Sequence, residues 1–152
     1  MAKVSKFGDK VKKIKRSGMV NFVTDEGEVI EFKVESRKSE DIDTVNDIYD
    51  PLKPKVPTKK LPSKGGFKVI ENHDDPEYKK AFGAVQRRNL AHLALMFLAD
   101  EEKPEGEVEE QVQQILDVEL AGFIGKVVNK GLELSGLSGN DDEEELEEVK
   151  ND

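Results

Sequence analysis

The sequence predicts a mainly α protein, a small antiparallel helical bundle with an N-terminal β-hairpin and disordered charged tails. Residues 75–99, DPEYKKAFGAVQRRNLAHLALMFLA, place Tyr78, Phe82, Val85, Leu93 and Met96 at helical spacing, and Leu90, Leu95, Phe97 and Leu98 widen the stripe. The last two turns are apolar almost all round, so that end of the helix must be buried. Between residues 19 and 35 the apolar period shortens to two, the spacing of a half-buried strand. Charge is segregated to the ends: residues 3–16 hold seven basic side chains and one acid, and eight acids with one lysine follow Asn140.

Composition narrows the function classes. A chain of 152 residues is about one domain, and with 36% hydrophobic against 38% charged residues its core must be small. The net charge of −9 conceals two tails of opposite sign. Without cysteine there is no disulfide framework, thiolate zinc site or cysteine nucleophile. The N-terminus lacks the apolar core of a signal peptide, and the longest apolar run, 93–99, falls far short of the roughly 20 residues that cross a bilayer, so no membrane partner is expected.

In chain order, residues 1–18 read as a basic flexible arm. Val4, Phe7, Val11 and Ile14 have amphipathic helical spacing, which Gly8 and Asp9 interrupt. Such an arm suits phosphate, an anionic membrane surface or an acidic partner, or it is a solvated terminus that pairs weakly with the chain's own acidic end. Residues 19–50 read as a β-hairpin plus a short acidic helix. Val20 and Phe22 precede a three-residue loop, Asp25-Glu26-Gly27, and Ile30, Phe32 and Val34 follow it. Ser39 is placed as the helix cap, Ile42, Val45 and Tyr49 share one face, and Pro51 ends the helix.

Residues 51–72, rich in proline and lysine, are expected to be an extended or disordered linker. Residues 73–137 are expected to form the helical bundle. Asp75 supplies the first helix's cap and Pro76 its first turn. Val108, Val112, Ile115 and Leu116 mark a second helix; Asp117 caps a third carrying Leu120, Ile124, Val127, Val128 and Leu134, which Gly136 closes in left-handed geometry. Residues 138–152 are an acidic tail with no apolar periodicity, expected to be disordered.

No catalytic constellation stands out: there is no Gly-rich phosphate loop, His-x-x-x-His pair or Gly-x-Ser-x-Gly elbow, so neither an enzyme nor a cofactor is expected. His73, Asp74 and Asp75 are consecutive and cannot all converge on one ion from a helix start. His92 reads as a hydrogen-bonded core or boundary histidine, and Arg87 and Arg88 as surface side chains bridging to the acidic second helix.

Asp75, Pro76 and Tyr78 at the helix start, Gln86, Arg87 and Arg88 in its middle, and the closing Leu132, Leu134, Ser135, Gly136 and Leu137 give the run 73–137 a recognisable outline. It resembles the tail assembly chaperones of long-tailed bacteriophages, as does the hairpin, acidic helix and linker before it. The resemblance implies a non-enzymatic protein of the host cytoplasm. It would coat the tape measure protein, a long helical chain, while tail tube subunits polymerise around it, and self-association is compatible with that role. In that family a ribosomal frameshift near the end of the gene often yields a longer product. The basic arm departs from the family pattern. Two alternatives therefore stay open, a structural protein of the virion and a basic-arm accessory protein that binds nucleic acid. The overall acidity, and lysines without an aromatic platform, make nucleic acid the weaker partner. Phe82, Leu93, Met96, Phe97, Ile124 and Val128 are the candidate partner-binding residues, serving either as core or as client surface.

Overall fold

The computed structural model describes residues 6–137. In order these form α1 (Lys6–Ile14), β1 (Ser17–Val23), β2 (Val29–Glu35), α2 (Ser39–Tyr49), β3 (Thr58–Ser63), β4 (Gly66–Glu71), α3 (Pro76–Phe97), α4 (Val108–Leu116) and α5 (Phe123–Leu134), with single 3-10 turns at Asp50–Leu52 and Asp100–Glu102. β1 pairs with β2, and β3 with β4, as two separate antiparallel sheets.

The core is gathered around the C-terminal half of α3, which packs against α2, α4 and α5. Ala91, Leu93, Ala94, Leu95 and Phe97 are buried there, and Leu98 and Ala99 continue the buried run past the helix end. Val45 and Tyr49 meet it from α2, Val112 and Ile115 from α4, and Phe123, Val127 and Val128 from α5. Each large aliphatic or aromatic side chain fully removed from water contributes about 1.5–3 kcal/mol. The all-apolar end thus dominates the folding free energy, whereas the N-terminal turns of α3 are largely exposed.

The first hairpin belongs to this core. Its register pairs Val20 with Phe32, Phe22 with Ile30 and Gly18 with Val34, so Val20 and Val34 are buried on one face while Glu31 and Asn21 point to solvent. The loop is the three-residue Asp25-Glu26-Gly27, closed by Thr24 and Glu28 and with Gly27 at φ +83°. β2 also makes an antiparallel bridge from Val34 to Leu98, where the Ala99 amide donates to the Lys33 carbonyl at 3.0 Å. Arg37 finishes the joint: Nε donates to the Met96 carbonyl at 2.8 Å, Nη2 to that of Leu98 at 3.2 Å, and its amide to Ser135 Oγ at 2.9 Å. A cation thereby satisfies carbonyls that α3 leaves open at its C-terminus.

The architecture is an α+β mixture and corrects the mainly α bundle. One sheet is part of the core, and a second occupies the segment expected to be a linker. In residues 51–72 the prolines and lysines hide an alternating pattern: Leu61 faces Lys68, Lys60 faces Val69, and Lys64-Gly65 makes a two-residue turn with Gly65 at φ +85°. Pro62 is tolerated because every strand of a two-stranded sheet is an edge. In the arm, Lys6–Ile14 is helical through Gly8 and Asp9, and Ser17 and Gly18 already belong to β1. An interior glycine costs only about 1 kcal/mol, and an acid in the first turn favours the helix. Ser39 is the first helical residue rather than the cap, and neither Lys38 before it nor Asp75 before α3 makes a side-chain cap bond. The last helix starts at Phe123, not at Asp117, which instead closes α4. Gly136, at φ +77°, does end α5 in left-handed geometry, with the Leu137 amide donating to the Leu132 carbonyl at 2.8 Å. The acidic tail 138–152 and residues 1–5 of the arm lie outside the described residues.

Two expectations follow. α3 and α5 approach so closely that a Cβ placed on Gly131 would fall within the ring of the fully buried Phe97. Gly131→Ala is therefore expected to destabilise the protein by about 1–3 kcal/mol despite alanine's better helix propensity, because neither backbone can retreat without opening the core. Thermal unfolding followed by circular dichroism should show a fall of several degrees. Second, Tyr49 Oη lies 3.0 Å from His92 Nδ1. Burial pushes the Tyr49 phenol up, so it keeps its proton and donates to Nδ1 of a neutral imidazole, while burial and then the Lys103 charge hold His92 below the usual 6.5. Below that value the unfolded chain takes up a proton that the folded one refuses, so stability is retained above about 6.5 and declines as pH falls through it. Melting temperature measured from pH 7.5 to 5.5 should decline more steeply in the parent than in His92→Gln.

Candidate functional site

The sheet register puts Phe22, Ile30 and Phe32 on the inward face of the first hairpin, and the start of α5 brings Phe123 against them. The three rings touch mutually: Phe22 to Phe123 at 5.2 Å between centroids, Phe32 to Phe123 at 5.4 Å edge-on, and Phe22 to Phe32 at 5.9 Å edge-on. They form one wall of a cleft of about 400 Å³. Leu98 lies at its floor, and Ile115, Val118 and Leu120, from the end of α4 and the turn after it, form the opposite wall. Polar side chains enter only as Glu102 and Gln114.

The rim is apolar and open. Ile30 is 42% exposed, Val118 40% and Leu120 51%, although the residues beneath them, Leu98, Ile115 and Phe123, are buried. Lys126 flanks the aromatic wall, with Nζ 5.0 Å from the Phe22 centroid and 3.2 Å from the Asn21 carbonyl. A greasy trough with a cation beside it suits an amphipathic segment that inserts Leu, Ile or Val side chains. Glu102 is its one ionisable side chain, and among the described residues no three His, Asp or Glu side chains converge as metal ligands. Among them, too, no helix is long and apolar enough to cross a membrane.

None of the six candidate partner-binding residues lines this cleft. Phe97, Leu93 and Val128 are core, and Met96 and Ile124 are half-buried against it. Phe82 is remote, near the exposed start of α3, where it stacks with Tyr78 at 5.8 Å beneath Lys53 Nζ, also at 5.8 Å. The six do not make a common surface. Helical spacing marks a face as apolar but not what covers it, and here α2, α4 and α5 pack over it. Phe123, the residue that completes the aromatic wall, stands at the true start of a helix that the sequence reading begins at Asp117. Gly122 directly before Phe123 was the available signal.

The remaining singled-out side chains have ordinary neighbours. His73 pairs with Glu71 at 3.0 Å, and Arg88 reaches α4 through Gln113 Oε1 at 3.4 Å rather than through an acid. The lysines of 51–72 do have an aromatic companion: Phe67, 72% exposed, stands on β4 near the turn residue Lys64, opposite Pro62 and on the same face as Lys60. No family model matches the chain, and comparison with curated proteins and with solved structures likewise returns no match.

Proposed function

We propose that the protein is a non-enzymatic assembly chaperone of the host cytoplasm that holds an apolar helical segment of a client in the cleft between the first hairpin and the α4–α5 turn. The observation that carries the reading is an exposed apolar rim, Ile30, Val118 and Leu120, over an aromatic wall in a cleft that only two polar side chains enter. The client's identity comes from the resemblance in 73–137: the tape measure protein of a long-tailed phage, with the tail tube protein as a further contact during polymerisation. Docking one or two client side chains between Phe22 and Leu120 would contribute about 1.5–3 kcal/mol each, a strength suited to a partner that is later released.

Co-expression with the tape measure gene of the same genome tests this. The client should become soluble and co-purify with the parent. The rim variants Val118→Asp and Leu120→Asp, which alter exposed side chains, should fold and melt nearly as the parent while losing the client. Unchanged client solubility with the parent would end the chaperone reading. Mass spectrometry of purified virions separates it from the structural alternative, since a chaperone should be absent and a structural component near-stoichiometric.

A second reading rests on the β3–β4 hairpin. Lys60 shares the face of the exposed Phe67, Lys64 stands at the turn beside it, and Lys59 and Lys68 project from the opposite face, with no acidic residue from Pro51 to Ile70. That combination fits a single nucleic-acid strand, with a base on the ring and phosphates on the lysines. Retardation of a single-stranded oligonucleotide should be lost in Phe67→Ala and weaken steeply with salt. No retardation at low salt would remove this reading.

A further inference from the structure

Next to the point where the described chain stops there is a cationic, partly apolar hollow. It has a volume of about 410 Å³ and lies between α1, the β2–α2 connection and the end of α5. Val11, Ile14 and Leu134 supply its apolar lining, and Lys15, Arg16, Arg37 and Lys38 its positive charge. Asp41 is the acid within it, Glu35 pairs with Lys15 at 3.4 Å and Arg37 at 3.8 Å, and Glu40 with Lys38 at 3.9 Å, which leaves Arg16 as the lining cation with no ion pair among the described residues. The helix above the hollow remains unsatisfied. α1 buries no residue, leaving Phe7 76% and Ile14 66% exposed. Lys6, Lys10, Lys12, Lys13 and Arg16 form no ion pair among the described residues.

An amphipathic helix with a bare apolar stripe and an excess of cations calls for an anionic partner that also carries apolar side chains. Such a segment is tethered beside it. Ser135 lines the hollow, and Arg16 Nη2 donates to the Glu133 carbonyl at 3.3 Å, which ties the end of α5 to the base of α1. Residues 141–149, DDEEELEEV, follow only a few positions later and carry seven acids, no cation, and Leu146 and Val149 three apart. We infer that residues 141–149 dock on this hollow within the same molecule, with the acids against the α1 and Arg37–Lys38 cations and Leu146 and Val149 against Val11 and Ile14.

Reach and strength are both adequate. The four steps from Leu137 to Asp141 span up to about 13–14 Å at 3.3–3.6 Å per residue, matching the length of the nine-residue α1 at 1.5 Å per residue. A tether this short holds the segment at an effective concentration on the order of millimolar, so even weak, exposed ion pairs are populated. The docked segment screens the hollow and α1 from other polyanions. This inference stands apart from the client cleft, which lies at the opposite end of α5, beside Phe123 rather than Leu134.

The chain has no cysteine, so a single one can carry a spin label without background. Full-length, isotope-labelled protein with Asn151→Cys, just beyond the segment, bearing a nitroxide should show a several-fold loss of amide signal across Lys10–Ile14 at about 0.1 M salt, where the Debye length is about 10 Å. The signal should return at about 1 M salt, where that length is about 3 Å. It should also return when Glu143, Glu144, Glu145, Glu147 and Glu148 are all replaced by Gln. An equal mixture of isotope-labelled unmodified chains and unlabelled nitroxide-bearing chains should show no such loss. Overturning results are undiminished signals at 0.1 M salt, a loss that survives the glutamine replacements, or an equal loss in the mixed sample, which would place the contact between two copies.

Discussion

The contact of Phe97 with Gly131 is the constraint on which the rest of the structure depends. A fully buried ring at the last turn of α3 lies directly on the backbone of α5, a separation only glycine permits. Because α5 is held this close, its first turn reaches the first hairpin, and Ser135, just past its last turn, accepts a hydrogen bond from the Arg37 amide. A larger residue at 131 would lever α5 away and loosen both ends together. Close packing transmits such shifts because interiors have little free volume to absorb them.

Arg37 complements that contact at the opposite side of the α3 terminus. Its three bonds join the end of β2 to α3 and α5, so a short sheet that would be marginal alone becomes an integral wall. The Val34–Leu98 bridge does the same through the backbone and occupies part of the β2 edge, which blunts it as a template for pairing with other chains. The apolar cleft is a by-product of this arrangement. Leu98 lines the junction between the hairpin and the α4–α5 turn, and no described side chain fills the gap between Phe22 and Leu120.

The second hairpin has a different physical character. Its strands are exposed nearly throughout, and the Asn72 amide closes its base by donating to the Pro57 carbonyl at 2.7 Å. A two-stranded sheet without a covered face gains little from burial, so its sequence is free to carry lysines on both faces. That freedom is why its composition resembled a linker.

What the sequence by itself determined are the features carried by local signals. The first hairpin's alternation and its glycine loop, the acidic helix ending at Pro51, the extent of α3 to within two residues, and the left-handed closure at Gly136 are all set by short-range sterics and capping, and all were legible. The boundary role of His92 was legible too, since a histidine on an apolar helix face needs a hydrogen-bond partner, here Tyr49. Tertiary structure alone decided which apolar residues are core and which are surface. Periodicity reports that a face is covered but carries no information about the covering element, so Phe97 and Val128 could not be told from client-facing residues. The meeting of Phe22, Phe32 and Phe123 depends on contacts across roughly 90–100 positions of chain, closed by packing rather than by any local preference. The cleft, and with it the candidate site, therefore exists only in the folded chain.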